Sequence, residues 1–263
     1  MQLYMSLMSN IWINKLYKKV GNRKLKLYVF CPEAPLKNRA AILFFHGGSY
    51  TKNNGTSPAR FEHHARYFSE LGMVAICVDY RNANDEGFTP YHAIEDARSA
   101  VRWVREHAEK LGIDPEKVVV CGASSGGYTA LCSTLLEIDK TSLSNHIPNA
   151  LVIFNAGVDG EEIINRLFPE LSNKATELSP ILHVKRELPP MIWFVGTSDI
   201  IYESNLAFCE KWKQNDNLCV LHTYDGMNHG FFNYEMHENK PFKQTVQQTV
   251  EFLQSLGFME SKV

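Results

Sequence analysis

Gly122-Ala123-Ser124-Ser125-Gly126 sets hydroxyls in a turn of small residues, between the run Val118-Val119-Val120-Cys121 and a helical pattern from Gly126 to about Glu137. A serine framed as G-x-S-x-G between a strand and a helix sits on a sharp, strained turn that presents its oxygen, and the glycines make room for it. Ser124 is in frame; Ser125 fits only the weaker A-x-S-x-G spacing through Ala123. A helix N-cap serine would satisfy the same letters, so the surrounding strand and helix carry the argument. A serine hydroxyl is a poor nucleophile at neutral pH, and it needs a base within hydrogen-bond reach and an acid to orient that base.

The remaining groups follow in chain order. Met191 to Val195 reads as a buried strand, and Gly196-Thr197-Ser198-Asp199 comes next, which makes Asp199 the candidate acid and Glu203 a spare already inside a helix. Cys219 to Tyr224 reads as the last strand, and the turn-rich Asp225-Gly226-Met227-Asn228-His229-Gly230-Phe231 offers His229 as the base. Without that setting, Asp199 would read as a helix cap and His229 as a surface loop residue. An acyl-transfer site also needs donors for an oxyanion, from the residue after the nucleophile and from the loop after an early strand. Ala40 to Phe45 is such a strand and ends in His46-Gly47-Gly48-Ser49, so the N–H groups of Gly47, Gly48 and Ser125 are the candidate donors.

These groups need a scaffold. Strands are read at 25–30, 40–45, 73–78, 118–121, 150–155, 191–195 and 219–224. Helices are read at 59–71, 91–111, 126–137, 161–167, 202–214 and 242–256. Apolar runs alternating with helical periodicity predict an α/β fold: a mostly parallel sheet with helices on both faces. No repeat or linker divides the chain, so residues 1–263 are read as one domain, with 1–24 as an N-terminal extension and 156–190 as a candidate flap.

Composition narrows the function classes. Apolar residues make up 44% and charged residues 21%, with a net charge of −2, so nothing draws the chain to nucleic acid or anionic membrane. Six cysteines form no C-x-x-C pair, which argues against zinc ribbons and thiol redox motifs; one disulfide, Cys209 to Cys219, stays open. No metal site or cofactor is expected. No window reaches the roughly 20 apolar residues of a membrane helix. The chain as given reads as cytoplasmic, or as secreted or periplasmic if a leader was removed. The oligomeric state is open, a homodimer being one option.

Taken together, His46-Gly47-Gly48-Ser49, Asp79-Tyr80-Arg81, Gly122 to Gly127, Gly196 to Asp199 and His229-Gly230-Phe231 resemble the serine esterases of the α/β-hydrolase superfamily. The likeness is to the hormone-sensitive-lipase-like and bacterial acetyl-esterase group, which includes carbohydrate esterases, and it spans residue 25 to the C-terminus. It implies the α/β-hydrolase fold, ester hydrolysis through Ser124, His229 and Asp199, and structural roles for Asp79 and Arg81. Three positions depart from the family pattern: Ser49 stands at the third glycine of HGGG, Ala123 where Asp is common, and Ile200 where Pro is common. Too little chain precedes the first strand for a lid domain, so an open site suited to a short acyl group on a small-molecule or polysaccharide alcohol is expected. Tyr50, Phe88, Phe231, Tyr91 and Phe232 are candidates to line it, with ordinary core packing as the alternative for each. A peptidase of the same fold would use the same three groups but usually carries a propeller or larger cap. A binding protein that has lost its chemistry would not keep all three.

Overall fold

The structure is a computed structural model that describes residues 12–32, 37–51, 57–137 and 144–260. The chain runs β1 (Trp12–Val20), β2 (Arg23–Phe30), β3 (Arg39–Phe45), α1 (Glu62–Glu70), β4 (Val74–Val78), α2 (Pro90–Glu106), α3 (Ala108–Leu111) and β5 (Ile113–Ala123). It continues through α4 (Ser125–Leu135), β6 (Ala150–Phe154), α5 (Gly160–Leu167), β7 (Met191–Gly196), α6 (Tyr202–Gln214), β8 (Cys219–Tyr224) and α7 (Lys240–Ser255). The eight strands form one sheet in the order β1-β2-β4-β3-β5-β6-β7-β8. The hairpin β1–β2 and the β2–β4 pair are antiparallel, and every pair from β4 to β8 is parallel.

The central strands β3, β4, β6 and β7 are buried nearly end to end, and β5 is from Val118 onward, as strands covered on both faces must be. Side chains from α2 to α6 pack on one face, around Tyr128, Leu131, Trp193, Phe208 and Trp212. Those of α1 and α7 pack on the other, around Phe44, Phe68, Phe154, Phe194 and Phe242.

Two sequence expectations change. Residues 12–20, read as part of an extension, form the edge strand β1 (residues 1–11 of that segment lie outside the described residues). An edge strand buries little, so its apolar alternation is weak: Trp12, Ile13 and Leu16 stay over 40% exposed. The helix read over 91–111 breaks at His107, whose ring Nδ1–H donates to the Trp103 carbonyl at 2.8 Å, with the chain ending in left-handed Gly112. Cys209 and Cys219 are both free thiols, as are the other four cysteines.

His64 of α1 is an apolar-packed histidine. Its ring lies 4.7–6.2 Å from those of Phe61, Phe154, Phe232 and Phe242. Both ring nitrogens are buried without a hydrogen-bond partner among the described residues. Burial pushes its pKa down to about 3. The folded state therefore binds fewer protons than the unfolded chain, and this residue's contribution to stability, complete above pH 6.5, is lost as pH falls toward 3. We predict that His64→Leu stabilises more at pH 5 than at pH 8, the difference being on the order of 2 kcal/mol. Thermal denaturation of both proteins at the two pH values measures it; a pH-independent difference would rule the titration out.

Candidate active site

In the strand order, β3 and β5 lie side by side although β4 separates them in sequence, and Phe45 pairs with Gly122 at their carboxyl ends. Crevices at such reversals of strand order are where open α/β sheets bind ligands. Five consecutive strands deliver one loop each to this edge: the His46–Tyr50 loop after β3, Ser124 after β5, Asn155 after β6, Asp199 after β7 and His229 after β8.

Ser124 has φ +53° and ψ −122°, a left-handed conformation that a side-chain-bearing residue adopts only when its surroundings hold it there. The turn is held by close packing. A Cβ on Gly126 would lie 2.1 Å from the Phe45 carbonyl oxygen, and one on Gly47 would lie 3.0 Å from Ser124 Cβ. Only glycine lets the nucleophile turn and the loop after β3 approach this closely. Ser49 and Tyr50 also take positive φ, +50° and +56°. The loop therefore demands the left-handed geometry a third glycine would supply, and Ser49 adopts it at some strain.

The sequence-predicted groups converge. Ser124 Oγ–H donates to His229 Nε2 at 2.9 Å, and His229 Nδ1–H donates to Asp199 Oδ2 at 2.7 Å. The Asp199 side chain is fully buried while the His229 ring is half exposed. Burial alone pushes the Asp199 carboxyl up, but hydrogen bonds and charge from His229, with N–H groups of Asn155 and Ile201, outweigh it and hold the carboxyl below its ordinary range. The acid and base loops are also tied together, through Thr197 N–H to the Tyr224 carbonyl at 2.9 Å and Ser198 N–H to the Met227 carbonyl at 3.0 Å. Glu203 stays exposed in the first turn of α6. The arrangement can take a proton from a serine oxygen, hold it on an imidazole and stabilise the resulting charge with a buried carboxylate.

Two clefts meet at Ser124. The larger, about 340 Å³, runs over Tyr50, Tyr128 and Ser125 and is walled by α5 through Glu162, Ile163, Arg166 and Leu167. The smaller, about 240 Å³, is bounded by Gly47, Gly48, Phe61, Phe232 and Asn233. Part of the segment read as a flap thus forms one wall of the site. Of the five aromatic candidates, Tyr50 lines the larger cleft; it is almost fully buried, its hydroxyl donating to the Ser125 carbonyl at 3.0 Å, whereas Tyr91 lines neither cleft and donates to Glu177 at 2.7 Å. Phe88 lies behind Tyr50, with ring centroids 5.3 Å apart, and supports it from outside either cleft. Phe231 is corrected: it points into the core against Tyr224, and its neighbour Phe232 lines the smaller cleft. The tight turn after Gly230 reverses the two rings, an orientation that no periodicity in a loop announces. Asn155 was missed altogether. It is fully buried and donates through Nδ2 to Asp199 Oδ2 at 3.1 Å. Among the described residues, no cluster of His, Cys, Asp or Glu could hold a metal ion, and no helix is long and apolar enough to cross a membrane.

A parallel sheet with a strained serine turn after β5, an acid after β7 and a histidine after β8 defines an α/β-hydrolase. Residues 42–233 match the alpha/beta hydrolase fold family, and the chain belongs to it. It is similar to the butyrate-bound esterase 2 of the planctomycete Thermogutta terrifontis, at 35% identity and a TM-score of 0.87 over 96% of each chain. The same esterase phosphorylated by paraoxon superposes with a TM-score of 0.86 at 36% identity, over 95% of this chain and 96% of that one. Among curated proteins, the esterase LipI of Mycobacterium tuberculosis is 30% identical over 175 residues, 65% of this chain and 48% of LipI. The chain therefore spans about half the length of that relative.

Proposed function

We propose that the protein is a serine carboxylesterase acting on short acyl esters, acetyl esters first, of hydroxyl-rich alcohols such as carbohydrates. The observation that carries this reading is the unbroken relay from Ser124 Oγ through His229 to buried Asp199, with distances of 2.9 and 2.7 Å. As Ser124 Oγ attacks the ester carbonyl carbon, its proton passes to His229 Nε2. The N–H groups of Gly47, Gly48 and Ser125 receive the oxyanion, a contact whose loss typically raises the barrier by roughly 3 kcal/mol per donor. His229 then protonates the departing alkoxide, leaving an acyl-serine that water, activated by the same imidazole, hydrolyses.

Short acyl chains are favoured by the shape of the site. Phe61 and Phe232 line the smaller cleft, whose volume of about 240 Å³ suits a short acyl chain better than a long one. The Thermogutta esterase has been captured with butyrate and with propionate bound, which agrees with that reading. Glu162 and Arg166, exposed on the wall of the larger cleft, give it charged hydrogen-bonding groups suited to sugar hydroxyls. The expected result is a steep fall in kcat/KM for p-nitrophenyl esters beyond butyrate, together with acetate release from acetylated xylan. Equal rates on octanoate would remove the short-chain argument, absence of acetate release would remove the carbohydrate, and turnover of a peptide anilide without ester turnover would make the protein a peptidase.

A further inference from the structure

Asn155 stands at the carboxyl end of β6, between the nucleophile strand and the acid strand. Ser124 N–H donates to the Phe154 carbonyl at 3.0 Å, and Asn155 N–H donates to the Phe194 carbonyl at 2.9 Å, so the backbone there is fixed to both neighbours. The side-chain amide reaches further along the chain. Its Nδ2 donates to Oδ2 of Asp199, 44 residues away, and to the backbone carbonyl of His229, 74 residues away. Both partners are acceptors only, so the amide can be oriented one way. We propose that Asn155 is a positioning residue for the relay, a single buried amide that holds the acid and the base in register with each other. This rests on the serine-esterase reading above.

Two features set Asn155 apart from ordinary packing. Its φ is +32°, outside the regions that side-chain-bearing residues prefer. Its Oδ1 is buried with no hydrogen-bond partner among the described residues. Each is unfavourable, a buried unsatisfied carbonyl by about 1–3 kcal/mol. An apolar or smaller residue would avoid the second, and a residue that carries both is recognisable by what its two N–H groups do.

The chemistry of that amide suits the task. Asp199 Oδ2 accepts from His229 Nδ1 as well as from Asn155, while Asp199 Oδ1 accepts from the Ile201 N–H at 3.2 Å. The Ile201 N–H holds Oδ1, and the Asn155 donor holds Oδ2, the oxygen that faces the imidazole. Being neutral, the donor favours the ionised carboxylate without cancelling the charge that must stabilise the imidazolium. The second N–H, on the His229 carbonyl, fixes the backbone from which the ring hangs.

The test uses Asn155→Gly, which accepts positive φ and removes the amide, and Asn155→Asp, which keeps its shape and adds a carboxylate. Ser124→Ala is the reference. Asn155→Gly should lower kcat on p-nitrophenyl acetate about 10²-fold with KM little changed, as expected when a reacting group drifts by about 1 Å. In Asn155→Asp the new carboxyl and Asp199 share one proton at low pH, and the loss of that proton as pH rises adds a negative charge beside the imidazole, which should move the acid limb of kcat/KM to higher pH. The far-downfield proton resonance of His229 Nδ1–H, identified by its absence in His229→Ala, should broaden or vanish in Asn155→Gly, and it reads the hydrogen bond whether or not an ester turns over. Wild-type kcat in Asn155→Gly with an unmoved acid limb in Asn155→Asp overturns the proposal. So does a loss of turnover that leaves resonance and limb intact, because that assigns Asn155 to packing alone. Full activity in Ser124→Ala fails the serine reading itself, a separate result.

Discussion

Ser124→Ala should lose ester turnover by about 10⁴–10⁶-fold in kcat, whereas Ser125→Ala should stay within a few-fold of the parent. The two serines are adjacent in a sequence whose spacing accommodates either, but their side chains have different surroundings. Ser124 Oγ lies 2.9 Å from His229 Nε2 at the junction of the two clefts. The Ser125 hydroxyl is buried and has no hydrogen bond to His229 among the described residues, and the role proposed for this residue belongs to its backbone N–H. Removing the Ser125 hydroxyl leaves that N–H in place. Removing the Ser124 hydroxyl leaves a base with nothing to deprotonate, and the residual rate comes from the oxyanion donors and binding alone. The check is a side-by-side p-nitrophenyl acetate assay, with mass spectrometry after exposure to paraoxon. The diethylphosphoryl group is expected on the peptide containing residue 124 in the parent and in Ser125→Ala, and absent from Ser124→Ala. Turnover lost in Ser125→Ala and kept in Ser124→Ala would move the nucleophile by one residue.

The largest effect on stability is expected at Asp96, inside α2. Its side chain is fully buried. Its carboxylate accepts from Lys18 Nζ at 2.7 Å, from Arg81 Nε and Nη2 at 2.8 Å each, and from the Arg81 backbone N–H at 3.0 Å. Arg81 also reaches Glu95 at 2.9 Å, and Lys18 reaches it too. Arg23 meanwhile grips Asp79 with two parallel bonds of 2.7 and 3.0 Å. The Asp-Tyr-Arg triplet at 79–81 is therefore a structural clasp that fastens the β1–β2 hairpin and α2 to the end of β4. Asp96→Ala would leave the nearly buried guanidinium of Arg81 and the ammonium of Lys18 without their shared counter-charge. Breaking a buried pair in this way destabilises by about 3–5 kcal/mol. In a domain of this size that lowers the unfolding midpoint by roughly 6–20 °C. Circular-dichroism melting of Asp96→Ala and Asp96→Asn tests it, with the smaller loss expected for Asn, which keeps one acceptor. Melting points within 2 °C of the parent would show that the clasp contributes little.

Much of this architecture was legible before any coordinates. The runs at 40–45, 73–78, 118–121, 150–155 and 191–195 are apolar at nearly every position because both faces of each strand are covered, and that pattern separates a parallel sheet from one exposed on a side. The sequence pattern of α6 has the same ends as the helix, 202 and 214. Edge strand β1 escaped for the opposite reason: with one edge unpaired and most side chains in solvent, its letters need not alternate.

Chain order alone determined that Ser124, Asp199 and His229 follow strands in the sequence that a parallel sheet would gather at one edge, because strand–loop alternation is a local property of the letters. The tertiary structure decided which atoms meet. Phe231 turned into the core and Phe232 to the smaller cleft, Asp96 closed a buried ion network with Lys18 and Arg81, and Asn155 reached 74 residues along the chain to the loop of His229. Periodicity records which face of an element is buried. The partner of a buried polar group is fixed only when distant segments are packed, since desolvation makes an unpaired donor or acceptor costly and leaves the chain few ways to satisfy it.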